Sequence, residues 1–197
     1  MKWPEGTRDS QKEHALHHLG SAELAISLCR KHRVAIQAGG NVGLWPMRMA
    51  RSFQRVITFE PEPVSRQCLS ENVADFANVE VRGEALGESS GRCGIARRSL
   101  GSHNITDGED CEVLALDSLG LIDVDLLQLD IEGYELRALR GAEATIRASH
   151  PVIQVELRGF TEKYGDSDAG LIAFLAGLGY RERAKVQGSD VVFVHGA

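Results

Sequence analysis

From residue 34 onward, short apolar runs alternate with amphipathic stretches. Strands are predicted over 33–38, 55–60, 79–83, 112–116, 124–131 and 151–157. Helices are predicted between them, over 44–52, 63–76 and 136–148, and again over 171–178, closed by Gly179. Pro63 stands where a first helical turn tolerates it. The run 124–131 is apolar except for Asp125 and Gln128, as expected of a strand covered on both faces. Residues 86–101, rich in Gly, Ser and Arg, read as a loop or irregular hairpin. The end reads as an antiparallel pair, 180–186 with 191–195, around Gln187-Gly188-Ser189. Before all of this, 10–32 reads as a charged helix interrupted at Gly20.

Repeated βα units imply a mostly parallel sheet with helices on both faces. The fold class expected is therefore α/β and Rossmann-like, with an antiparallel C-terminal hairpin. The organisation expected is a helical segment over 1–33 and one compact domain over 34–197, without internal repeat or linker.

Ligands of such sheets bind beyond the carboxyl ends of the strands. That rule gathers Gly39–Gly43, Glu60, Gly83-Glu84, Asp130-Ile131-Glu132 and Glu156 on one rim. The first of these, Gly39-Gly40-Asn41-Val42-Gly43, follows a strand and opens a helix. Glu60 ends the next strand about 20 residues later, the layout of an adenosine-cofactor site. Glycines let the backbone approach the ligand, and the acid accepts hydrogen bonds from ribose hydroxyls.

Composition adds limits. A chain of 197 residues, 43% hydrophobic and 25% charged, suits one soluble domain. A net charge of -6 argues against a broad nucleic-acid footprint, and the one local basic cluster, Arg92, Arg97 and Arg98, reads as a solvated hairpin. The four cysteines, Cys29, Cys68, Cys93 and Cys111, lie far apart without a C-x-x-C pair. They read as isolated, reduced thiols rather than a zinc site. His14, His17 and His18 have helical spacing and read as an exposed cluster rather than a metal set. The start, MKWPEGTRDS, holds no signal-peptide core, and no membrane span is visible, so a cytoplasmic location is expected.

With these residues in hand, the chain resembles the FkbM family of class I S-adenosylmethionine-dependent methyltransferases. Its members carry D-x-G-x-N-x-G after the first strand, where this chain has Gln37-Ala38-Gly39-Gly40-Asn41-Val42-Gly43. Their F-E-P is matched by Phe59-Glu60-Pro61 and their A-L-G by Ala85-Leu86-Gly87. Their K-I-D-V-E-G-x-E-x-x-x-L-x-G-A is followed closely by residues 128–142, from Gln128-Leu129-Asp130 to Arg140-Gly141-Ala142. Two positions depart: Gln37 replaces an acid and Gln128 a lysine. The resemblance implies a sandwich with a seven-stranded sheet, S-adenosylmethionine as cofactor, and O-methylation of a sugar or natural-product hydroxyl. It implies cofactor contacts from Gln37, Gly39, Gly40, Asn41, Gly43, Glu60, Pro61, Glu84, Ala85 and Asp130.

For catalysis, Asp130 or His103 is the candidate base for the acceptor hydroxyl. Asp130 and Glu132, two apart, share a side if the chain stays extended there. Two further readings stand beside this one, a divalent metal shared with Glu156 and a helix-capping role for Glu132, and the need for metal is left open between them. His103 is placed in an irregular loop. The rivals are an NAD-dependent oxidoreductase, a cofactor-binding protein that has lost catalysis, and a nucleic-acid methylase. The first lacks the leading glycine of G-x-G-x-x-G here, and the last usually carries N-P-P-Y where this chain has Leu129-Asp130-Ile131-Glu132.

Overall fold

The computed structural model describes residues 1–17, 19–99, 102–186 and 189–196. Its elements in chain order begin with α1 Asp9–His17, α2 Leu19–Leu28, β1 Val34–Ala38, α3 Leu44–Ala50, β2 Arg55–Phe59, α4 Pro63–Asn72 and β3 Val79–Arg82. They continue with β4 Ala85–Leu86, β5 Gly91–Ser99, β6 Ser102–Leu114, β7 Val124–Leu129, α5 Glu135–Arg140, α6 Glu143–Ser149, β8 Val152–Glu156, α7 Asp168–Gly177, β9 Tyr180–Val186 and β10 Asp190–His195. Seven strands form the central sheet in the order β3-β2-β1-β7-β8-β10-β9. The first five are parallel, and β10 runs antiparallel to both neighbours. Strand order reverses between β1 and β7, so a ligand crevice opens there, above the carboxyl ends.

Alternation along the strands sends residues to two cores. Ile36, Ile57, Leu127 and Ile153 pack with Leu136, Leu139, Ile146, Leu171 and Leu175 from α5, α6 and α7. Ala35, Val56, Leu126 and Val152 pack on the other face with Ala22, Ala25, Met49 and Phe53. Each fully buried Leu, Ile or Phe is worth about 1.5–3 kcal/mol, so both faces need their helices. Helix α2 thereby enters the core. A side-chain cluster fixes the start of β1: Asp125 accepts from Arg33 N at 2.8 Å and from its guanidinium at 2.6 and 3.0 Å.

Several expected boundaries move. The expected helix 10–32 is two helices, and Gly20 falls within α2 rather than breaking the chain. His18 and the side chains of His14 and His17 lie outside the described residues, as does the Gln187-Gly188 turn. The expected helix 136–148 is also two, α5 and α6. The backbone at Gly141 abuts the Gly87 carbonyl, leaving no room for a Cβ, and Gly141 O accepts from Asp117 N at 2.9 Å. The Asp117 carboxylate then caps α6, accepting from Ala144 N and Thr145 N at 2.9 and 2.8 Å.

The largest departure is a second sheet, β4-β6-β5. Within the stretch 86–101, residues 91–99 form β5, and of the expected strand 112–116 residues 112–114 lie in β6, so His103 lies in strand β6, not in a loop. The sheet's own apolar cluster is small, Ala85, Cys93, Cys111 and Val113 with Ile95 and Ile105 packed against them, while Leu86 and Leu114 join the main core. Much of the rest is polar or glycine, with Arg92, Glu109, Asp110 and Glu112 at the surface, so the pairing rests largely on backbone bonds that hydrophobic patterning does not report. Cys93 stands opposite Cys111 with the two thiols 3.1 Å apart, so this pair is not isolated, although all four cysteines are free. Of the basic cluster, Arg92 pairs with Glu109 at 2.7 Å and Arg97 with Glu62 at 3.0 Å; the Arg98 side chain lies outside those described.

The β5–β6 hairpin is braced from both sides. Arg97 reaches Glu62 ahead of α4, Ile105 N donates to the Tyr164 hydroxyl at 3.1 Å, and Lys163 Nζ donates to Asn104 at 3.3 Å. These contacts hold His103 and Ile105 against the rim of the central sheet.

Candidate active site

Beyond β1, Gly39 N and Gly40 N both donate to Phe59 O at 3.0 Å, and Asp130 N donates to Ala38 O at 3.1 Å. The glycine turn is thus pinned between β2 and β7. Gly39 has φ 86, and a Cβ there would overlap the Asp130 carbonyl oxygen; one at Gly40 would meet Thr58 Oγ1 at 2.8 Å. Gly39→Ala is expected to cost about 3 kcal/mol or more, since strain and overlap add. Gly120, φ 62 in open space, should cost only about 1–2 kcal/mol for the same change. Equal losses at the two sites in urea unfolding would refute the overlap.

Glu60 is 4% exposed. Its Oε2 accepts from Asn41 N at 2.7 Å and its Oε1 from Glu62 N at 2.9 Å. Burial pushes its pKa up to about 7, against the pull of those two N–H groups. Each oxygen keeps a lone pair for a further donor.

A cavity opens here, beyond the carboxyl ends of the strands. Its wall holds Ala38, Gly39 and Asn41 from the turn, Glu60 and Pro61 after β2, Glu84, Ala85 and Leu86 after β3, and Asp130, Ile131, Glu132 and Tyr134 after β7. The hairpin contributes His103 and Ile105. Nine of the candidate site residues therefore converge: Gly39, Asn41, Glu60, Pro61, Glu84, Ala85, His103, Asp130 and Glu132. Gln37, Gly40 and Gly43 do not line the wall. Gln37 is fully buried one layer below, Gly40 packs on Leu69 and Thr58, and Gly43 precedes α3.

The acids differ in state. Burial raises Asp130 well above the usual carboxylate range, reinforced by Glu156, Asp190, Glu135 and Glu132. Burial also opposes ionisation of Glu84, but its ion pair with Arg82 outweighs that and holds it below the ordinary value. Burial lowers His103, with Arg97 reinforcing and Glu62 opposing, so its ring is neutral at pH 7. Both ring nitrogens are shielded from solvent and have no hydrogen-bond partner among the described residues.

The backbone after β7 is not extended. Glu132 has φ 59 and Gly133 φ 105, so the premise that Asp130 and Glu132 share a strand face fails, although both reach the cavity. The carboxylate that holds this turn is Glu135, whose Oε1 accepts from Ile131 N at 2.9 Å and Gly133 N at 3.2 Å. Glu135 was missed, although the motif E-G-x-E contains it. Tyr134 was missed too, because its position is unspecified in that motif. Its ring is held edge-on by Tyr164, with centroids 4.9 Å apart, and by Arg137 at 5.4 Å.

Burial pushes Glu135 up to about 7. A carboxyl raised in the folded state binds more protons than the unfolded chain between about pH 4.3 and 7, so stability declines as pH rises through that window. Glu135→Gln keeps an acceptor for the two N–H groups and removes the titration. Its Tm is expected to exceed wild type at pH 8 and to match it near pH 4.5; a pH-independent difference would remove the linkage. Among the described residues, no group of three or more His, Cys, Asp or Glu is arranged to hold a metal ion. No helix among them is long and apolar enough to cross a membrane.

A parallel sheet with a reversed final strand and a glycine turn facing a strand-end acid places the protein among the Rossmann-like methyltransferase folds. Residues 37–182 match the model of the methyltransferase FkbM domain, and the chain belongs to that family. Among solved structures it is similar to a methyltransferase FkbM from Methylobacillus flagellatus KT, at 17% identity and TM-score 0.58. That match covers 86% of this chain but 45% of the other, so this chain spans less than half of that protein. It is also similar to magnesium protoporphyrin IX methyltransferase from Synechocystis PCC 6803 with bound SAM, at 12% identity and TM-score 0.58, covering 98% and 86%. An rRNA methylase from Streptococcus thermophilus matches at 10% identity and TM-score 0.54, covering 88% and 92%. The chain has no significant match among curated proteins.

Proposed function

We propose that residues 34–197, with 1–33 as an attached helical segment, catalyse O-methylation of a sugar or small natural-product hydroxyl with S-adenosylmethionine. One observation carries this reading: the paired Glu60 and glycine turn share a cavity with His103, a neutral base whose nitrogens have no partner among the described residues. The residues suit the cofactor. Glu60 has spare acceptors that would take two ribose hydroxyls, Pro61, Glu84 and Ala85 would line the adenine side, and Gly39, Asn41 and Asp130 would hold the methionine end. When bound, S-adenosylmethionine supplies a methyl group on a good leaving group. The protein then needs mainly to align the acceptor and take its proton. His103 is the favoured base, because both its ring nitrogens lack a partner among the described residues, whereas burial and the neighbouring acids disfavour the charged form of Asp130. Glu132 and Tyr134 bound the space left for the acceptor.

The test is calorimetric titration with S-adenosylhomocysteine, with NAD in parallel. Micromolar binding of the first alone supports the reading and leads to a screen of small hydroxyl compounds, with RNA as a comparison acceptor. Binding of NAD alone would overturn it. Binding of S-adenosylhomocysteine with methyl transfer only to RNA would retain the cofactor and reject the small acceptor.

A further inference from the structure

One layer below the glycine turn, four neighbouring strands each place a polar side chain in one row. Thr58 on β2 is in register with Gln37 on β1, Gln37 with Gln128 on β7, and Gln128 with Gln154 on β8. In-register residues of adjacent strands lie on the same face, with strands about 4.8 Å apart. All four are buried, none more than 2% exposed. The two ends of the row are bonded. The Thr58 hydroxyl donates to Gln37 Oε1, and Gln154 Nε2 donates to Asp190 Oδ2 on β10 at 3.2 Å. Between them, Gln37 Nε2, Gln128 Oε1 and Gln154 Oε1 are shut from solvent without a partner among the described residues.

The order of these atoms is informative. A spare donor on β1 is next in register to a spare acceptor on β7. The Gln128 amide nitrogen is next to a spare acceptor on β8. Both bonds already made run in the same sense, donor on the β2 side and acceptor on the β10 side. Buried amide groups are rarely left unpaired, and a row of this polarity can satisfy every one of them. The far end of the row adjoins the cavity acids: Asp190 stands opposite Glu156, and both act on Asp130 in the cavity wall.

We infer that Thr58, Gln37, Gln128, Gln154 and Asp190 form one continuous hydrogen-bonded relay, each gap closed by a small carboxamide rotation or one buried water, and that this row positions the cofactor turn. Gln37 and Gln128, the two departures from the motif pattern, are register neighbours and so constitute one change rather than two. A carboxylate at position 37 alone would be a buried charge with no cation opposite, so Gln37→Asp weakens the site instead of restoring it. The binding part of this inference rests on the proposed cofactor; the relay itself does not.

A double-mutant cycle tests it. Gln37→Leu and Gln128→Leu are each expected to weaken S-adenosylhomocysteine binding about tenfold, because each leaves its neighbours unpaired. The double variant should also lose about tenfold, not the hundredfold of independent sites. The same non-additivity is expected in urea midpoints. Independent losses in both readouts would overturn the relay, and unchanged affinity with coupled midpoints would overturn the positioning role. If the wild type does not bind S-adenosylhomocysteine, the cofactor reading and the positioning role fall together, while the urea cycle still judges the relay. Should the leucine variants not fold, Thr58→Val, nearly isosteric, serves. In a relay it shifts the side-chain amide resonances of Gln37 and of Gln128, two strands away. A shift confined to Gln37 would overturn it.

Discussion

Glu60→Gln is expected to weaken S-adenosylhomocysteine binding about 100-fold, close to 2.7 kcal/mol. The carboxylate is already engaged by Asn41 N and Glu62 N, and the ribose hydroxyls would be further donors to the same group. Hydrogen bonds to a charged acceptor are worth about 1.5–3 kcal/mol, more than those to a neutral amide. Glutamine also presents an NH₂ group to one of the two backbone donors, so it loses a bond even before ligand arrives. The pH dependence is a second signature. Burial sets Glu60 near 7 in the free protein, while hydroxyl donors favour its ionised form. Binding therefore releases a proton. Affinity should rise with pH, by up to about tenfold per unit below pH 7, and level off above it. Titration in buffers of different ionisation enthalpy measures that proton directly. An affinity independent of pH in the wild type, or unchanged in Glu60→Gln, would remove Glu60 from the binding site.

His103→Gln should lower kcat of methyl transfer by about 100- to 1,000-fold, with S-adenosylhomocysteine affinity changed less than about threefold. The split follows from position. His103 comes to the cavity from the hairpin, while Glu60 and the turn belong to the strand ends. Removing it should spare cofactor contacts and remove the proton acceptor. The sign of the pH profile is fixed by its neutral state. Burial and Arg97 lower its pKa below the ordinary histidine value, so the wild-type rate should fall only as pH drops below about 6.5. The variant should lose that acid limb. Equal losses of kcat and cofactor affinity would make His103 a structural residue. Retention of the acid limb would transfer the proton to another group, with Glu132 next in line.

The central sheet was legible because burial writes itself into the chain. Strands β1, β2, β7 and β8 are covered on both faces, so they appear as largely apolar runs with few polar interruptions, and glycines with a terminal acid mark their carboxyl ends. The family motifs lie on those same strand ends, so the rim was assembled in one dimension before any contact was known. The β5–β6 hairpin left no such trace. Its stability comes from backbone pairing and from Arg97, Lys163 and Tyr164, which act from distant elements. The chemistry of His103 is legible in the chain, but its place in strand β6 depends on those distant contacts.

Sequence alone determined the fold class, the glycine turn, Glu60 and the run of acids after β7, since each depends on local period or on residues a few positions apart. Tertiary structure decided the rest. It turned the chain at Glu132 and Gly133, assigned the holding carboxylate to Glu135, and brought Tyr134 and His103 to one cavity. It also removed Gln37 from the cavity wall and set it beside Gln128. The physical reason is the same throughout: register across strands and burial between elements fix which polar groups meet, and neither quantity is a property of any segment by itself.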